Sequence, residues 1–300
     1  MKRIYIFLVL TLIIFNACND DFLDKYPIDS QTEGTAFRTY NNFQTYSWSL
    51  YAVFTDNTNY VQGIVSNLGR YNGDWRAGYL STYATTENNQ YRSQTATVPS
   101  SGGGWNFVFI RRVCLMLDNI DKSAMNEKDK EHWRSVGYFF HSYNYMELIS
   151  RFGDVPWVDK VIKESDSELI YGKRTDRKEV ADKVLERLLY AENNIKIEGE
   201  GANTNTINRN VVRALISRFC LFEGTWRKYH GLGDYDKYFT EAIRASKELM
   251  ITFPEVDNNY DNLLCSDNLA NYKGIILYKE YVKDILTNAI GHTERTSSGQ

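Results

Sequence analysis

The residue types best suited to binding a ligand are concentrated in one polar stretch, from Tyr71 to Arg92. Aromatic rings stand at Trp75, Tyr79 and Tyr83, with guanidinium, amide and carboxylate groups between them. Such rings can lie against the apolar faces of pyranoses while planar polar groups bond the hydroxyls. Trp75, Tyr79, Tyr83 and Arg92 are therefore the predicted ligand face, and the chemistry that they indicate is sugar binding. The alternative for each ring is that it packs the loop onto neighbouring helices.

Motifs for catalysis or metal binding do not occur in the sequence. It contains no GxSxG, no HExxH and no glycine-rich loop followed by Lys and Ser or Thr. The four histidines are scattered, and each is more typical of a packed or solvated imidazole than of a metal ligand. We therefore expect no enzyme activity, no cofactor and no metal site.

Composition describes an ordinary globular body with an excess of tyrosine. The chain has 300 residues, of which 43% are hydrophobic and 24% are charged, enough for one large domain or two small ones. Its formal net charge of −3 argues against nucleic acid as a partner, because nucleic acids select basic patches. The four cysteines include no close pair that would indicate zinc or a disulfide framework. Cys114 and Cys220 lie in apolar helical runs and are expected to be buried thiols.

The N-terminus has the pattern of a secretory signal, predicted over residues 1–17. Lys2 and Arg3 precede an apolar run, Ile4 to Phe15, which is too short to cross a bilayer. Cys18 follows Ala17 in the position that bacterial lipoproteins acylate, so we expect a lipid anchor at Cys18 and attachment to a membrane. The alternative is an ordinary cleaved signal followed by a chance cysteine.

Apolar periodicity of helical type recurs along most of the remaining chain. A capping box, Ser30 to Glu33, is expected to open the first helix, whose apolar face includes Leu50 and Tyr51. Gly153 is expected to end the third helix in a left-handed conformation, with Asp154 bonded to the backbone that follows it. The predicted helices cover about 35–54, 105–120, 126–152, 176–194, 208–229 and 235–251, and an irregular loop covers about 55–104.

Consecutive helices are expected to pair as antiparallel hairpins. The predicted pairs are 105–152 and 176–229, with 235–251 beginning another. Stacked hairpins of this size are typical of tetratricopeptide repeats, because one amphipathic pair cannot bury its apolar face alone. A helical bundle without repeats is the alternative.

Several motifs together resemble the SusD/RagB family, the surface glycan-binding lipoproteins of Bacteroidetes. After Cys18 comes the acidic leader Asp21-Phe22-Leu23-Asp24, with a proline soon after it. Further along, four segments are similar to family helices and turns, in the family's order: Trp105–Ile120, Arg151–Trp157, Val211–Thr225 and Tyr235–Met250.

The resemblance implies a mostly α-helical, tetratricopeptide-like stack with long irregular loops. Residues 18–300 would be its N-terminal portion, truncated at the C-terminal side, because family members are considerably longer. It also implies that the loop after the first helix contributes to the ligand face. The implied function is capture of an oligosaccharide at the outer-membrane surface and delivery to a SusC-like TonB-dependent transporter. A helical-repeat scaffold that binds a peptide or protein is the main alternative, and a glycan-active enzyme is the third.

Overall fold

The computed structural model describes residues 36–54, 104–198, 205–264, 266, 268–270 and 272–282. These residues form a mostly α-helical body, as predicted. The helices are α1 Tyr40–Leu50, α2 Val108–Ile120, α3 Glu127–Phe152, α4 Ser167–Tyr171, α5 Arg177–Asn194, α6 Arg209–Tyr229, α7 Asp236–Thr252 and α8 Tyr260–Leu264, and a 3-10 turn, Tyr51–Val53, follows α1.

The starts of three long helices are capped by the side chains that the sequence indicates. The Asn126 side chain accepts the Asp129 N–H at 3.0 Å, and Asp176 accepts the Lys178 N–H at 2.7 Å. Asn208 accepts two backbone N–H groups at the start of α6. Each cap satisfies donors that have no partner inside the helix, which fixes where the helix begins.

The first predicted helix is interrupted within the described residues: Ala36 is helical, residues 37–39 form a bend, and α1 begins at Tyr40. Its cap is Thr39, which forms a capping box with Asn42, and the chain bends just before it. The predicted box at Ser30 and Glu33 lies outside the described residues. A second polar residue pair at capping-box spacing therefore sets the start of α1, and sequence spacing alone does not choose between the two pairs.

The predicted pairs α2–α3 and α5–α6 are in contact, and helices of consecutive pairs also pack against each other. The most extensive contacts join α3 to α5 and α6 to α7, while α2–α3 and α5–α6 contact each other less. The α3–α5 hairpin forms across a long connection, residues 153–176. An antiparallel bridge between Val155 and Thr175 closes the base of that connection. The prediction paired helices by their order in the chain, which does not show this long-range closure.

Gly153 ends α3 at φ +72° and ψ −112°, which confirms the predicted positive φ. Asp154 does not bond to the backbone that follows it. Its carboxylate accepts the N–H of Arg177 at 2.9 Å, 23 residues along the chain. The predicted local turn bond is therefore wrong, and Asp154 instead joins the end of α3 to the start of α5.

One contiguous core runs through the stacked helices. Cys114 and Cys220 are buried within it, as predicted. The largest fully buried apolar side chains come from α1, α2, α3, α6 and α7, and they include Phe43, Met116, Trp133, Phe140, Tyr145, Phe219 and Tyr238.

The residues Arg177, Glu223, Arg227 and Tyr238 form a buried charge cluster that ties α5, α6 and α7 together, and the exposed Asp182 lies at its edge. Two guanidinium groups converge on Glu223: Arg177 binds it through both terminal nitrogens, at 2.9 and 2.8 Å, and Arg227 donates from Nε at 2.7 Å. The other side of Arg227 contacts Asp182 at 2.9 Å and Tyr238 at 3.0 Å. Glu223 is thus the buried counterion that both guanidinium groups share, while the exposed Asp182 pairs with Arg227 and also with Lys237, at 2.8 Å.

Candidate ligand-binding site

The predicted site residues Cys18, Trp75, Tyr79, Tyr83 and Arg92 all lie outside the described residues. The structure does describe the chain on both sides of the ligand-face segment. One end is Phe54, directly after the 3-10 turn, and the other is Gly104, just before α2. We call these two ends the roots of segment 55–103.

An aromatic pocket of about 370 Å³ opens at the first root. The end of α1 and its 3-10 turn form one wall, and an extended segment from the C-terminal side forms the other. None of its described lining residues was predicted from the sequence as a ligand residue. The lining residues are Tyr51, Ala52, Phe54, Asn205, Leu277, Tyr278 and Lys279.

Hydrogen bonds hold the two walls of the pocket in place. The Asn205 amide donates to the Tyr278 carbonyl at 2.8 Å and accepts the Tyr278 N–H at 3.0 Å. The Tyr51 hydroxyl accepts the Ile207 N–H at 2.8 Å. These bonds join residues far apart in sequence, so the pocket is a product of the tertiary fold.

The rings of the first wall are supported from behind by α3. Tyr51 contacts the edge of Phe140, with ring centroids 5.2 Å apart, and Phe54 contacts Tyr143 at 5.3 Å. Edge-to-face contacts of this type are favourable and limit ring rotation. The half-buried Tyr51 and Phe54 rings are therefore positioned before any ligand arrives.

Tyr143 of α3, which contacts the Phe54 ring, has charged neighbours. Burial, and then the nearby Glu147 carboxylate, raise the pKa of Tyr143, while the Arg218 guanidinium opposes them. Tyr143 therefore stays a neutral phenol that can donate a hydrogen bond. Ring, carboxylate and guanidinium occur together here, which is the mixture of groups that suits hydroxyl-rich ligands.

The second root is also aromatic. Trp105 is 37% exposed, its ring lies against the edge of Phe152, and the Arg174 guanidinium covers it at 4.6 Å. Gly104 has φ +88°, and a Cβ there would lie 2.6 Å from the Arg151 side chain. Tyr143 and Arg151, which mark the two roots on α3, are about 12 Å apart along the helix axis. The two roots of segment 55–103 therefore lie close together, and each has aromatic side chains beside it.

Two larger grooves are less suited to a ligand. The groove of about 840 Å³ beside α2 has no aromatic lining, and its carboxylates are used internally. There Asp118 accepts the Val161 N–H, and Asp166 binds Lys160 at 2.8 Å. A groove of about 680 Å³ lies between the end of α7 and residues 270–276, and Phe54 and Gly104 are not among its described lining residues. Among these three pockets of the described residues, the aromatic pocket is the one that combines fixed rings with a position at the first root.

Across the described ranges, no group of three or more His, Cys, Asp or Glu side chains is arranged to hold a metal ion. Within those ranges, no helix is both long and apolar enough to cross a membrane.

Sequence comparison identifies the family. The profile of a SusD-like family, described as "Starch-binding associating with outer membrane", matches residues 21–221. The chain belongs to this SusD-like family. No curated protein sequence is significantly similar to it.

Solved structures of SusD-like proteins share the fold. A SusD-like protein of Bacteroides fragilis is 18% identical, with a TM-score of 0.57 over 87% of this chain and 48% of its own. B. fragilis NanU is 15% identical, with a TM-score of 0.58 over 86% and 51%. Surface glycan-binding protein A of Bacteroides fluxus is 16% identical, with a TM-score of 0.51 over 77% and 48%. This chain thus spans about half the length of the solved SusD-like structures that it matches.

Proposed function

We propose that this SusD-like protein binds a glycan at the surface of the outer membrane. The observation that carries the proposal is the aromatic pocket at the first root of segment 55–103. Trp75, Tyr79, Tyr83 and Arg92 belong to that segment, and the proposal assigns them to the same ligand face as the pocket.

Preformed rings favour sugar binding for an energetic reason. Each flexible side chain that is immobilised when a ligand binds makes the free energy of binding less favourable by about 0.5–1.5 kcal/mol. Tyr51 and Phe54 are already held by Phe140 and Tyr143, so a sugar stacking on them would avoid most of that cost. A volume of about 370 Å³ is near the lower end of typical ligand pockets, roughly 300–1,000 Å³. The pocket therefore suits one sugar unit, with the rest of the oligosaccharide outside it.

The comparisons support a carbohydrate ligand. The family description names starch, and the B. fluxus protein is named as a glycan-binding surface protein. Both are statements about those proteins, and sequence identity to the latter is only 16%. The particular glycan is therefore a matter for experiment.

The proposal includes a lipid anchor at Cys18 and a SusC-like TonB-dependent transporter as the partner that receives the glycan. The basic head, short apolar core and Ala17-Cys18 support the anchor. Wild-type protein should fractionate with membranes and co-purify with a large β-barrel transporter. Cys18→Ala should move the protein to the soluble fraction, and palmitate labelling of that variant would contradict the anchor.

The ligand proposal is tested by titrating the mature protein with a panel of oligosaccharides. Phe54→Ala should weaken binding of the best ligand several-fold, because it removes a wall of the pocket. Tyr229→Ala is the matched control, since Tyr229 is an 80% exposed ring on α6 that does not line the pocket. Equal affinities for wild type and Phe54→Ala, at equal melting temperature, would place the ligand elsewhere. Binding of peptides and of no oligosaccharide would favour the helical-repeat scaffold instead.

A further inference from the structure

We propose that the second root of segment 55–103 binds a negatively charged group of the glycan, a carboxylate or a sulfate. The inference rests on the proposed function, and it adds to that function a ligand class and a second point of contact. Three side chains at this root carry it, those of Trp105, Arg151 and Arg174. We call them the cationic root.

The cationic root is built around an exposed indole ring. The Arg174 guanidinium lies 4.6 Å from the centre of the Trp105 ring, and the Phe152 ring meets the same indole at a centroid distance of 5.0 Å. The Arg151 guanidinium lies 5.7 Å from the centre of the Phe152 ring. Trp105 is 37% exposed despite these contacts. Two cations and an open aromatic surface therefore lie together at the surface of the protein.

Gly104 allows Arg151 to take this position. A Cβ at residue 104 would lie 2.6 Å from Nη1 and 3.0 Å from Cζ of Arg151. The guanidinium thus packs against the backbone directly before Trp105, and a side chain at residue 104 would displace it. The absence of a Cβ, which permits such a close approach, is a reason for glycine at this point.

Among the described residues, no carboxylate lies within ion-pair distance of the guanidinium of Arg151 or Arg174. The acidic residues nearest to them in sequence include Asp154 and Asp176. Both of these carboxylates accept backbone N–H groups at the start of α5, at 2.9 and 2.7 Å. The positive end of the helix dipole stabilises them there. The charge of the two arginines is therefore not balanced by a close counterion in this part of the structure.

The sequence around the second root adds to its positive charge. Between Glu87 and Asp118 the chain has no acidic residue, and it has arginines at Arg92, Arg111 and Arg112. The last two are exposed on α2, whose first turn follows the root. The mean charge of the chain is negative, with a formal net charge of −3, so this basic stretch is a local feature. Such a local excess attracts anions.

Guanidinium groups suit an oxyanion better than a neutral sugar. A guanidinium presents five N–H donors in a rigid fork and no acceptor, which matches two oxygens of a carboxylate or a sulfate. Hydrogen bonds between charged groups are about twice as strong as neutral ones. The open part of the Trp105 ring can lie against the apolar face of the same sugar unit. The root therefore combines recognition of charge with recognition of a pyranose.

The test uses matched pairs of ligands and the full mature protein. Oligogalacturonate is compared with its carboxyl-reduced form, and a sulfated oligosaccharide with its desulfated form. Calorimetry is run on wild type, on Arg151→Gln, on Arg174→Gln and on the double variant. Arg38→Gln is the control for loss of one exposed positive charge, because the Arg38 carbonyl accepts the Ala124 N–H beyond the opposite end of α2. That helix is about 20 Å long.

The expected result is that at least one acidic ligand binds wild type more tightly than its neutral counterpart. Each single variant should weaken that acidic ligand several-fold, and the double variant about tenfold or more, with little change for the neutral counterpart. Higher ionic strength should weaken the acidic ligand in wild type and have less effect in the double variant. Arg38→Gln should bind as wild type does. The melting temperatures should be similar, because all three arginines are exposed.

The outcomes that would overturn the inference are distinguishable from failure of the proposed function. If neutral glycans bind as tightly as acidic ones, or if the double variant keeps the full preference for the acidic ligand, the cationic root is not an anion site while the proposed function stands. A loss in Arg38→Gln equal to that in Arg174→Gln would also overturn the inference, since it would show a general attraction of charge. If no glycan of either class binds the folded protein, the proposed function fails and this inference fails with it.

Discussion

Cationic side chains and aromatic rings lie together in two regions of this molecule, the buried charge cluster and the aromatic pocket. The first region is closely packed, whereas the second leaves an open cavity. In the buried charge cluster, Arg177 lies 4.6 Å from the Trp226 ring centre, and Arg227 lies 4.5 Å from that of Tyr238. Both guanidinium groups are bonded to Glu223. In the aromatic pocket, the rings contact other rings through their edges and leave about 370 Å³ open.

The difference between the two regions lies in where the carboxylates are. Glu223, inside the cluster, and Asp182, at its exposed edge, pair with the two guanidinium groups of the cluster. No carboxylate side chain is among the described lining residues of the pocket, although Lys279 is present. The same residue types therefore fill the space between helices in one region and line an open pocket in the other.

The largest predicted effect tests the structural half of this comparison. Glu223→Gln keeps the side-chain shape but leaves Arg177 and Arg227 buried without their shared counterion. Breaking a buried ion pair on one side typically costs about 3–5 kcal/mol, so the free energy of unfolding should fall by that order. Urea denaturation followed by circular dichroism measures it. Glu186→Gln, an exposed glutamate on α5, should change stability by no more than about 0.5 kcal/mol.

A loss below about 1 kcal/mol for Glu223→Gln would contradict the structural role of the cluster. Ligand binding by the folded fraction should be unchanged, because the cluster lies outside the pocket lining. A lower ligand affinity of Glu223→Gln at unchanged free energy of unfolding would show that the cluster contributes to ligand binding.

Local features of the fold could be predicted from sequence because their causes are local. Asn126, Asp176 and Asn208 are short polar side chains directly before apolar helical runs, and each caps the helix that follows. Gly153 stands between such a run and a proline-containing turn, and it takes the positive φ that the pattern indicates.

Long-range features could not be predicted in the same way. Asp154 bonds to Arg177, and Asn205 bonds to Tyr278, across 23 and 73 residues. Tyr51 has the periodicity of a core residue, yet it lines the pocket because a distant extended segment lies opposite it. A signal for the second wall does exist, since Tyr278 and Lys279 place an aromatic and a basic residue side by side. The sequence does not show that this pair lies opposite Tyr51, because that arrangement depends on a tertiary contact.

The next effect concerns the connection that joins α3 to α5. Gly153→Val places a β-branched residue at φ +72° and ψ −112°, where no neighbouring atom lies within 4 Å of the added Cβ. The cost is therefore backbone strain without a steric clash, and it should be about 1–3 kcal/mol in the free energy of unfolding. Gly231→Val is a useful reference, because that glycine also has positive φ and open space, but ends α6 instead. Unchanged thermal stability of Gly153→Val would show that this turn relaxes without loss.

A smaller effect is expected from acid, through His141. This imidazole is fully buried, its Nε2 donates to the Val158 carbonyl at 2.8 Å, and burial, followed by Arg187, holds its pKa well below the usual range. The unfolded chain therefore binds the proton more readily than the folded one. Stability should be complete above about pH 6.5 and fall as the pH drops below it, by at most about 1.4 kcal/mol per pH unit.

Chemical denaturation at pH 7.5, 6.5 and 5.5 measures this slope. His141→Phe should flatten it, even if that variant is less stable at every pH. An unchanged slope in His141→Phe would assign the acid sensitivity to other groups.

The smallest predicted effects test the recognition half of the comparison, at residues outside the described ranges. Trp75→Ala and Tyr79→Ala should each weaken glycan binding by about 0.5–1.5 kcal/mol, by analogy with aromatic pairs, or about tenfold at most. The melting temperature should stay the same, since rings of a ligand face have no packing partner to lose. Calorimetry with the best-binding oligosaccharide measures the affinity, and Tyr229→Ala again serves as the exposed-ring control. Unchanged affinity together with a lowered melting temperature would mean that Trp75 and Tyr79 pack the loop onto the helices and do not contact the ligand. The ligand face would then be limited to Tyr51, Phe54, Tyr278 and Lys279.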